Sequence, residues 1–414
     1  MNSLFLRSIL SFILLIVKGT GSSVKISQGR ESTIHIDLDA IEHNYQQLLK
    51  KLPPNHPVMA VVKANAYGVG AVAVAKTVLE LGAKYLAVAF VDEGVHLRKH
   101  GIDAPILVLG YTAAGDEGIE LAIRYSLTIT VFTKEVLDAI QLKAWHSQCR
   151  VKIHIKVNTG MNRIGLEPDQ LVPFVQTIKN GFYTAVELEG VFSHFASLDY
   201  PFLSEPDKQY ARNQLKIFKR VVNLARKVMR IPIAHIASSN SIEFFGKEGF
   251  LDMVRPGSSI NGFMPFARPA LSLTSIVSAI RKPAKGQQLG YEENVTATGD
   301  DWIAGVLLGF ADGLSRDCSN GRREVLIKGV RVPIVTRIMM DQMLVNVTIV
   351  YPVAVEEKVV IIGRQGQEEI TAEDIAKMCG GSATSVTSQL STRIPRVYYQ
   401  NGRMVYYENN LLMY

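Results

Sequence analysis

The most constraining feature of this 414-residue sequence is a regular alternation of short β-branched runs with helical patterns between about residues 32 and 270. Strands that alternate with helices pair in parallel, and apolar runs without polar alternation are typical of strands buried on both faces. Eight such units predict an α/β fold, a closed (β/α)₈ TIM barrel over residues 32–270. The runs are Val58–Val62, Tyr85–Val91, Pro105–Gly110, Leu127–Phe132, Val151–Val157, Val186–Phe192, Pro232–Ile236 and Asp252–Arg255.

The pattern changes after residue 270, where strand-like runs follow one another closely and helical segments become rare. One helix is expected over Thr371–Cys379, and Asn401-Gly402 is a strong hairpin signal between two strands. We therefore predict a mostly antiparallel β domain over residues 271–414. A further strand, Thr33–Asp37, is expected before the barrel. The C-terminal runs are Leu273–Ile280, Trp302–Leu308, Glu324–Ile327, Val332–Thr336, Met343–Val350 and Lys358–Ile362.

Charge and cysteine content exclude several classes of function. The net charge is +7, but no dense Lys/Arg run with interleaved aromatic residues occurs, so no nucleic-acid partner is expected. The cysteines Cys149, Cys318 and Cys379 are scattered and odd in number. They suggest neither a disulfide framework nor the spacing of metal ligands, so we expect no metal.

Residues 1–22 differ from the rest of the chain. Arg7 precedes an apolar run over residues 8–17, and small residues follow from Gly19 to Ser23. This order is typical of a secretory signal peptide, and the run is short for a transmembrane helix. Export to the periplasm or medium is the expectation. An uncleaved anchor, or a cytoplasmic protein whose start lies further downstream, are the alternatives, and Lys18 weakens the cleavage site.

Several chemically capable side chains follow predicted strands, where barrel enzymes place their active sites. Lys63 lies at the end of a strand in Val61-Val-Lys-Ala-Asn-Ala-Tyr-Gly68, where desolvation favours the neutral amine that reacts with carbonyl groups. A lone lysine there is more often a surface residue. Arg163 lies in the loop after the Val151–Val157 run, and His194 directly follows the Val186–Phe192 run.

The last two strand ends carry small polar residues. Ser239 closes His235-Ile-Ala-Ser-Ser239, and Met253-Val-Arg-Pro-Gly-Ser-Ser259 supplies Arg255 together with backbone amides that could hold a phosphate. Each residue alone has a structural explanation, as a buried histidine, an ion-pair partner or a turn. Their coincidence at one barrel mouth indicates a site.

These segments resemble the alanine racemase family. The lysine segment is similar to its pyridoxal-phosphate signature. Four further blocks follow in the family's order: Asn158-Thr-Gly-Met-Asn-Arg-Ile-Gly165, Ser193-His-Phe-Ala196, Gly309-Phe-Ala-Asp-Gly313 and Arg337-Ile-Met-Met-Asp-Gln342. The resemblance spans residues 32–405. It implies a pyridoxal-phosphate-dependent racemase that interconverts L- and D-alanine and supplies D-alanine for cell-wall peptidoglycan.

The resemblance also implies roles for particular residues. Lys63 would bind the cofactor covalently and act as the base for the D-enantiomer, and Tyr291 as the base for the L-enantiomer. Arg255 would face the pyridine nitrogen, and Arg163 and the backbone of Met340 would contact the substrate. The family supplies its tyrosine from the second subunit, so a homodimer with shared sites is expected. The remaining expected cofactor contacts are Tyr67, His194, Ser239, Gly257 and Ser258.

Some positions depart from the family pattern and leave the substrate open. Thr392 and Asn261 stand where tyrosines are frequent, and Phe310 replaces another tyrosine. A serine or broad-spectrum racemase of the same mechanism is therefore an alternative. A non-catalytic pyridoxal-phosphate homeostasis protein is a further one, although it would share only the barrel. Lys156 matches a family lysine that is often carbamylated.

Overall fold

The computed structural model describes residues 29–115, 117–198, 203–291, 295–316 and 323–412. The signal-like leader lies outside the described residues. The chain forms two compact units. One comprises Ala40–Arg268, and the other combines the first strand, β1 (Thr33–Asp37), with the chain from Pro269 onward. Helix α1 (Leu38–Lys51) follows β1 directly.

The first unit contains a parallel sheet whose strands neighbour one another in chain order. Nearly every residue of these strands is buried, because helices cover one face and the interior side chains the other. The strands are β2 (Met59–Val61), β3 (Tyr85–Val88), β4 (Ile106–Val108), β5 (Thr128–Val131), β6 (Val151–Lys156), β7 (Val186–Phe192) and β8 (Ile233–His235). The connecting helices are α2 (Lys63–Tyr67), α3 (Ala71–Glu80), α4 (Val91–Lys99), α5 (Glu117–Arg124), α6 (Lys134–His146), α7 (Leu171–Asn180), α8 (Glu205–Val228), α9 (Ser239–Phe245) and α10 (Lys247–Phe250).

The predicted eighth strand closes the barrel as a short bridging segment. Val254 pairs with Val58 before β2, and Arg255 pairs with Ser238 after β8. The amide of Met59 donates to Val254 at 2.9 Å, and that of Arg255 to Ala237 at 2.8 Å. Pro256 has no amide to donate, but its carbonyl accepts the amide of Val61 at 2.9 Å and continues the pairing with β2. The (β/α)₈ prediction is confirmed.

The barrel interior is filled by alternate residues of neighbouring strands. Met59 and Val61 of β2 pack with Tyr85 and Ala87 of β3, and this cluster also includes Leu107 and Met253. Such layers are expected from side chains that point inward at every second position. They leave the polar residues at the strand ends to form the barrel mouth.

The second unit is a mostly antiparallel β domain, as predicted. Its main sheet has the order β12-β11-β14-β9-β1-β16-β17, and the β1–β16 pair is parallel. β10 pairs with β9 and β13, and β15 pairs with β14. The strands are β9 (Leu271–Arg281), β10 (Ile303–Val306), β11 (Glu324–Ile327), β12 (Val330–Pro333), β13 (Met343–Asn346), β14 (Lys358–Gln365), β15 (Glu368–Ile370), β16 (Arg396–Gln400) and β17 (Arg403–Glu408), with helices α11 (Ala372–Cys379) and α12 (Ala383–Ser388).

The early strand β1 belongs to this second sheet, although the sequence placed the chain from residue 32 with the barrel. β1 hydrogen-bonds to β9 on one edge and β16 on the other, and Ile34 and Ile36 are fully buried. Its pairing partners lie more than two hundred residues further along the chain, where local periodicity gives no information.

Two local expectations can be compared directly with the structure. The predicted hairpin is present: Gln400 pairs with Arg403 across Asn401 (φ 51°) and Gly402 (φ 69°). The expectation of no disulfide was wrong, because Cys379 is disulfide-bonded, whereas Cys149 is a free thiol. Within the described ranges, no helix has the length and apolarity needed to cross a bilayer.

Candidate active site

A cavity of about 240 Å³ lies where the barrel strands end. The structure places eight of the predicted site residues on its lining, and Lys156 lines it as well. The eight are Lys63, Tyr67, Arg163, His194, Ser239, Arg255, Gly257 and Ser258. Tyr291 and Met340 belong to the second unit and are exposed in the single chain, by 80% and 57%. No cluster of metal-ligating side chains occurs among the described residues.

Lys63 begins a left-handed turn directly after β2. Ala64, Asn65 and Ala66 have φ near 50°, and Tyr67 has φ 59°. The left-handed conformation costs an L-residue about 1–2 kcal/mol, so four in succession indicate a turn that its surroundings must hold in place. Burial lowers the pKa of Lys63, and the positive charge of Arg163 adds to this. Both effects favour the neutral, nucleophilic amine.

A small cradle lies at the end of β8. The Ser239 hydroxyl accepts the amides of Gly257 and Ser259, each at 3.1 Å. A Cβ on Gly257 would lie 2.3 Å from the Tyr67 hydroxyl oxygen, so only glycine permits this approach. Burial raises the pKa of Tyr67 to about 12, which keeps its hydroxyl a hydrogen-bond donor. Hydroxyl and backbone donors around a glycine suit a phosphate group.

Arg255 is fully enclosed and held by neutral partners. Its guanidinium donates to the Ser193 carbonyl and to Nδ1 of His235, both at 2.7 Å, and to Nδ1 of His194 at 3.3 Å. Burial lowers the pKa of Arg255 to about 9, so it remains protonated at neutral pH. Burial and the charge of Arg255 hold the pKa values of His194 and His235 well below the ordinary range, so both imidazoles are neutral.

A chain of hydrogen bonds runs from Arg255 to a carboxylate. Since arginine only donates, His235 accepts at Nδ1 and must carry its proton on Nε2, which bonds to Nδ1 of His154 at 2.8 Å. Nε2 of His154 then donates to Glu189 at 3.2 Å. Tyr85 also donates to Glu189, and hydrogen bonds including those of His154 outweigh burial and lower the pKa of Glu189 to about 2. The chain fixes the orientation of Arg255.

Sequence reasoning did not assign His154, His235 or Glu189 to the site. One signal was available: His154 lies two residues before Lys156 in β6, so both side chains point to the same side of the strand. Both are also buried, although neither residue type is usually found in a core. Paired polar residues at inward positions of a barrel strand are a usable indication of a buried network.

Lys156 is 3% exposed, and its amine donates to the Val157 carbonyl at 3.0 Å. Burial, with the charges of Arg255 and Arg163, lowers the pKa of Lys156 to about 7. A substantial fraction of the amine is therefore neutral near neutral pH. This is the form that can add carbon dioxide to give a carbamate.

Comparison with known proteins agrees with this geometry. Residues 36–265 match the family "Alanine racemase, N-terminal domain", and residues 270–398 match "Alanine racemase, C-terminal domain". Alanine racemase 2 of Caldanaerobacter subterraneus subsp. tengcongensis is 37% identical, over 92% of this chain and 98% of that protein.

Two solved structures extend the comparison. The crystal structure of alanine racemase from Bacillus anthracis with bound L-Ala-P superposes with a TM-score of 0.84 at 35% identity, covering 93% of this chain and 99% of that one. A histidine racemase from Leuconostoc mesenteroides gives a TM-score of 0.80 at 27% identity, covering 90% and 99%. The two domain matches and the extent of these likenesses establish that the chain belongs to the alanine racemase family.

Proposed function

We propose that this chain is a pyridoxal-phosphate-dependent alanine racemase that interconverts L- and D-alanine with two bases. The observation that carries the proposal is the position of Lys63, which lines a cavity together with Arg255, Ser239 and Gly257. A lysine with a lowered pKa beside a phosphate-type donor set is what covalent binding of this cofactor requires.

The residues of the cavity fit the cofactor. Gly257, where a Cβ would collide with Tyr67, leaves room for a phosphate beside its backbone, and the hydroxyls of Tyr67, Ser239 and Ser258 are donors around that space. Arg255 would face the pyridine nitrogen. Because Arg255 stays protonated, it would donate to that nitrogen, which would then carry no proton of its own.

Pyridoxal phosphate, when bound, supplies the conjugated system that makes the Cα proton of an amino acid acidic. Lys63 Nζ then removes or returns that proton on one face, and the Tyr291 hydroxyl does so on the other. Arg163 binds the substrate carboxylate by its charge. With bases on opposite faces, the proton that one residue removes is replaced by the other from the opposite side, which inverts the configuration at Cα.

The proposed function includes a homodimer with shared sites, in which Tyr291 of one subunit serves the cavity of the other. The exposure of Tyr291 and Met340 in the single chain is in keeping with a role at another subunit's cavity. Mixing inactive Lys63→Ala with inactive Tyr291→Phe should restore activity through hybrid dimers with one intact site. If hybrid dimers form and no activity returns, the shared site is wrong.

A racemase with broader or different substrate specificity is the second candidate function. Thr392 leaves space where the family usually has a tyrosine, and the likeness to a histidine racemase shows that this fold serves other side chains. A neighbouring tyrosine could refill that space, but Tyr398 is buried and donates to Glu408 at 2.8 Å, which holds it within its own sheet.

Export of the enzyme is the proposed localisation, with D-alanine supplied to peptidoglycan as the proposed role. The leader-like residues 1–22 support export, and so does the disulfide at Cys379, because disulfides persist in oxidising compartments. Mature protein recovered outside the cytoplasm should begin near Ser22 or Ser23. A full-length cytoplasmic product, or translation starting near Glu31, would contradict the proposal.

The function is tested by incubating purified protein with each L-amino acid and analysing the products on a chiral column. We expect D-alanine as the main product, and a yellow protein whose cofactor band borohydride alters irreversibly. Lys63→Ala should lose both the colour and the activity. Retention of a borohydride-sensitive band by Lys63→Ala would show that another lysine carries the cofactor.

A further inference from the structure

The left-handed turn after Lys63 needs support from outside itself. Its own hydrogen bonds include those from the amide of Ala66 to Val62 and from Gly68 to Ala64, both near 3 Å. The amide of Ala64, the residue directly after Lys63, instead donates to Oε1 of Glu93 at 2.6 Å. Glu93 lies twenty-nine positions further along the chain, in the first turn of α4.

The other oxygen of Glu93 holds the end of the neighbouring strand. Oε2 accepts the amide of Ala89 at 2.6 Å and that of Phe90 at 3.2 Å. The carboxylate therefore ties the Lys63 turn to the chain that leaves β3. The helix that carries it is closely packed, because a Cβ at the next residue, Gly94, would lie 2.7 Å from Leu127.

We propose that Glu93 is a positioning residue for Lys63, holding the left-handed turn in place and setting the direction of the lysine amine. The inference rests on the proposed function, in which Lys63 binds the cofactor. The charge of Glu93 adds a second effect: it raises the pKa of Lys63, against burial and the charges of Arg163 and Arg255. Glu93 therefore limits how far that pKa falls.

Helix capping explains only part of this arrangement. A glutamate in the first turn commonly accepts the amide of the residue before the helix, which accounts for the bond from Phe90. Capping requires no bond to Ala64, which belongs to a different strand–helix connection. If Glu93 acted only as a helix cap, its substitution would not change the chemistry of Lys63. This difference separates capping from a positioning role.

The test compares Glu93→Gln with Asp92→Asn, which removes the same charge from the same helical turn at an exposed position. Hydrogen–deuterium exchange of the peptide containing Ala64 is measured on the holoenzyme. A hydrogen bond to a carboxylate contributes enough that its loss should accelerate exchange at Ala64 about ten- to hundredfold. In the Glu93→Gln variant one carboxylate oxygen is replaced by an NH₂ group, which cannot accept an amide.

The second readout is the reactivity of Lys63 in the full chain after the cofactor is removed. Labelling of Lys63 by an amine-specific acylating reagent is followed against pH by mass spectrometry. Glu93→Gln should shift the labelling midpoint to lower pH, since the charge that raises the lysine pKa is gone. Asp92→Asn should leave both readouts at the wild-type values.

The outcomes separate this inference from the function on which it rests. Wild type without a cofactor band would refute the function, whereas wild type with the band and unchanged Glu93→Gln readouts would refute only the role of Glu93. If Glu93→Gln does not fold, Glu93→Asp is used. It keeps the charge but is one methylene shorter, so we expect faster exchange at Ala64 with near-normal labelling. Wild-type exchange in Glu93→Asp would refute the positioning role.

Discussion

Substitution of Gly257 by alanine tests the cradle with the smallest possible change. The new Cβ would lie 2.3 Å from the hydroxyl oxygen of Tyr67 and 2.9 Å from the ring carbon that bears it. Ordinary carbon contacts are near 3.5 Å, so the hydroxyl must move by about 1 Å. Tyr67 cannot do this freely, because it ends the left-handed turn that begins at Lys63.

The magnitude follows from this constraint. Overpacking by one methyl group costs about 1–3 kcal/mol, and each 1.4 kcal/mol changes a dissociation constant tenfold. Because Gly257 and Tyr67 both line the cavity, we expect Gly257→Ala to weaken pyridoxal phosphate binding about ten- to hundredfold. Gly115→Ala is the matched control, since a Cβ there meets nothing within 4 Å.

The assay is a fluorescence titration of cofactor-free protein with pyridoxal phosphate, for each single variant and for Gly257→Ala combined with Tyr67→Phe. Removing the hydroxyl relieves the closest contact, so the combined variant should bind more tightly than the two separate losses predict. A Gly257→Ala protein that binds as tightly as wild type would refute the reasoning. Additive losses would show that the two residues do not meet in solution.

Three further predictions concern specificity, carbon dioxide and pH. Thr392→Tyr adds most of an aromatic ring and should lower the serine-to-alanine ratio of kcat/KM, because even one methylene in a pocket alters discrimination by about 1–3 kcal/mol. An unchanged ratio would mean that Thr392 does not shape the pocket. Mass spectrometry of protein kept in bicarbonate should detect added carbon dioxide on Lys156, and Lys156→Arg should abolish the addition. Burial would raise the pKa of Asp312, but hydrogen bonds from Arg393 and the Gly309 amide outweigh it and lower that pKa. Ionised Asp312 therefore stabilises the folded chain above the ordinary carboxyl pKa near 4, and this contribution is lost as the pH falls below it. Thermal melts should accordingly show a flatter acid profile for Asp312→Asn than for wild type.

The parts of the fold that depend on local pattern could be predicted from the sequence. The barrel strands are short apolar runs with helices between them, and the hairpin depends on Asn401-Gly402 alone. The partners of β1 could not be predicted, because β9 and β16 are remote in the chain. The short eighth strand was placed correctly, and it pairs with its two neighbours through isolated bridges.

Site residues that follow strand ends could be predicted from the sequence. Residues whose role depends on buried contacts were harder to predict. Lys63, His194 and Arg255 all occupy such ends. Glu93 lies in the first turn of a helix, where a glutamate is ordinary, and only its bond to Ala64 makes it unusual. Glu189 is unremarkable in sequence, and its connection to Arg255 passes through two histidines.

Burial displaces most of the pKa values within the cavity, and its positive charges add to the shifts of Lys63 and Lys156. Lys63, Lys156, Arg163 and Arg255 all line it, and the pKa values of Lys63, Lys156 and Arg255 are lowered. The hydrogen bonds that Arg255 donates go to neutral carbonyls and imidazoles, so they orient its charge without cancelling it. Binding of an anionic ligand is more favourable in such a cavity than in one whose positive charges are already neutralised by carboxylates. The same cations that repel one another across this cavity therefore favour a ligand that carries both a phosphate and a carboxylate.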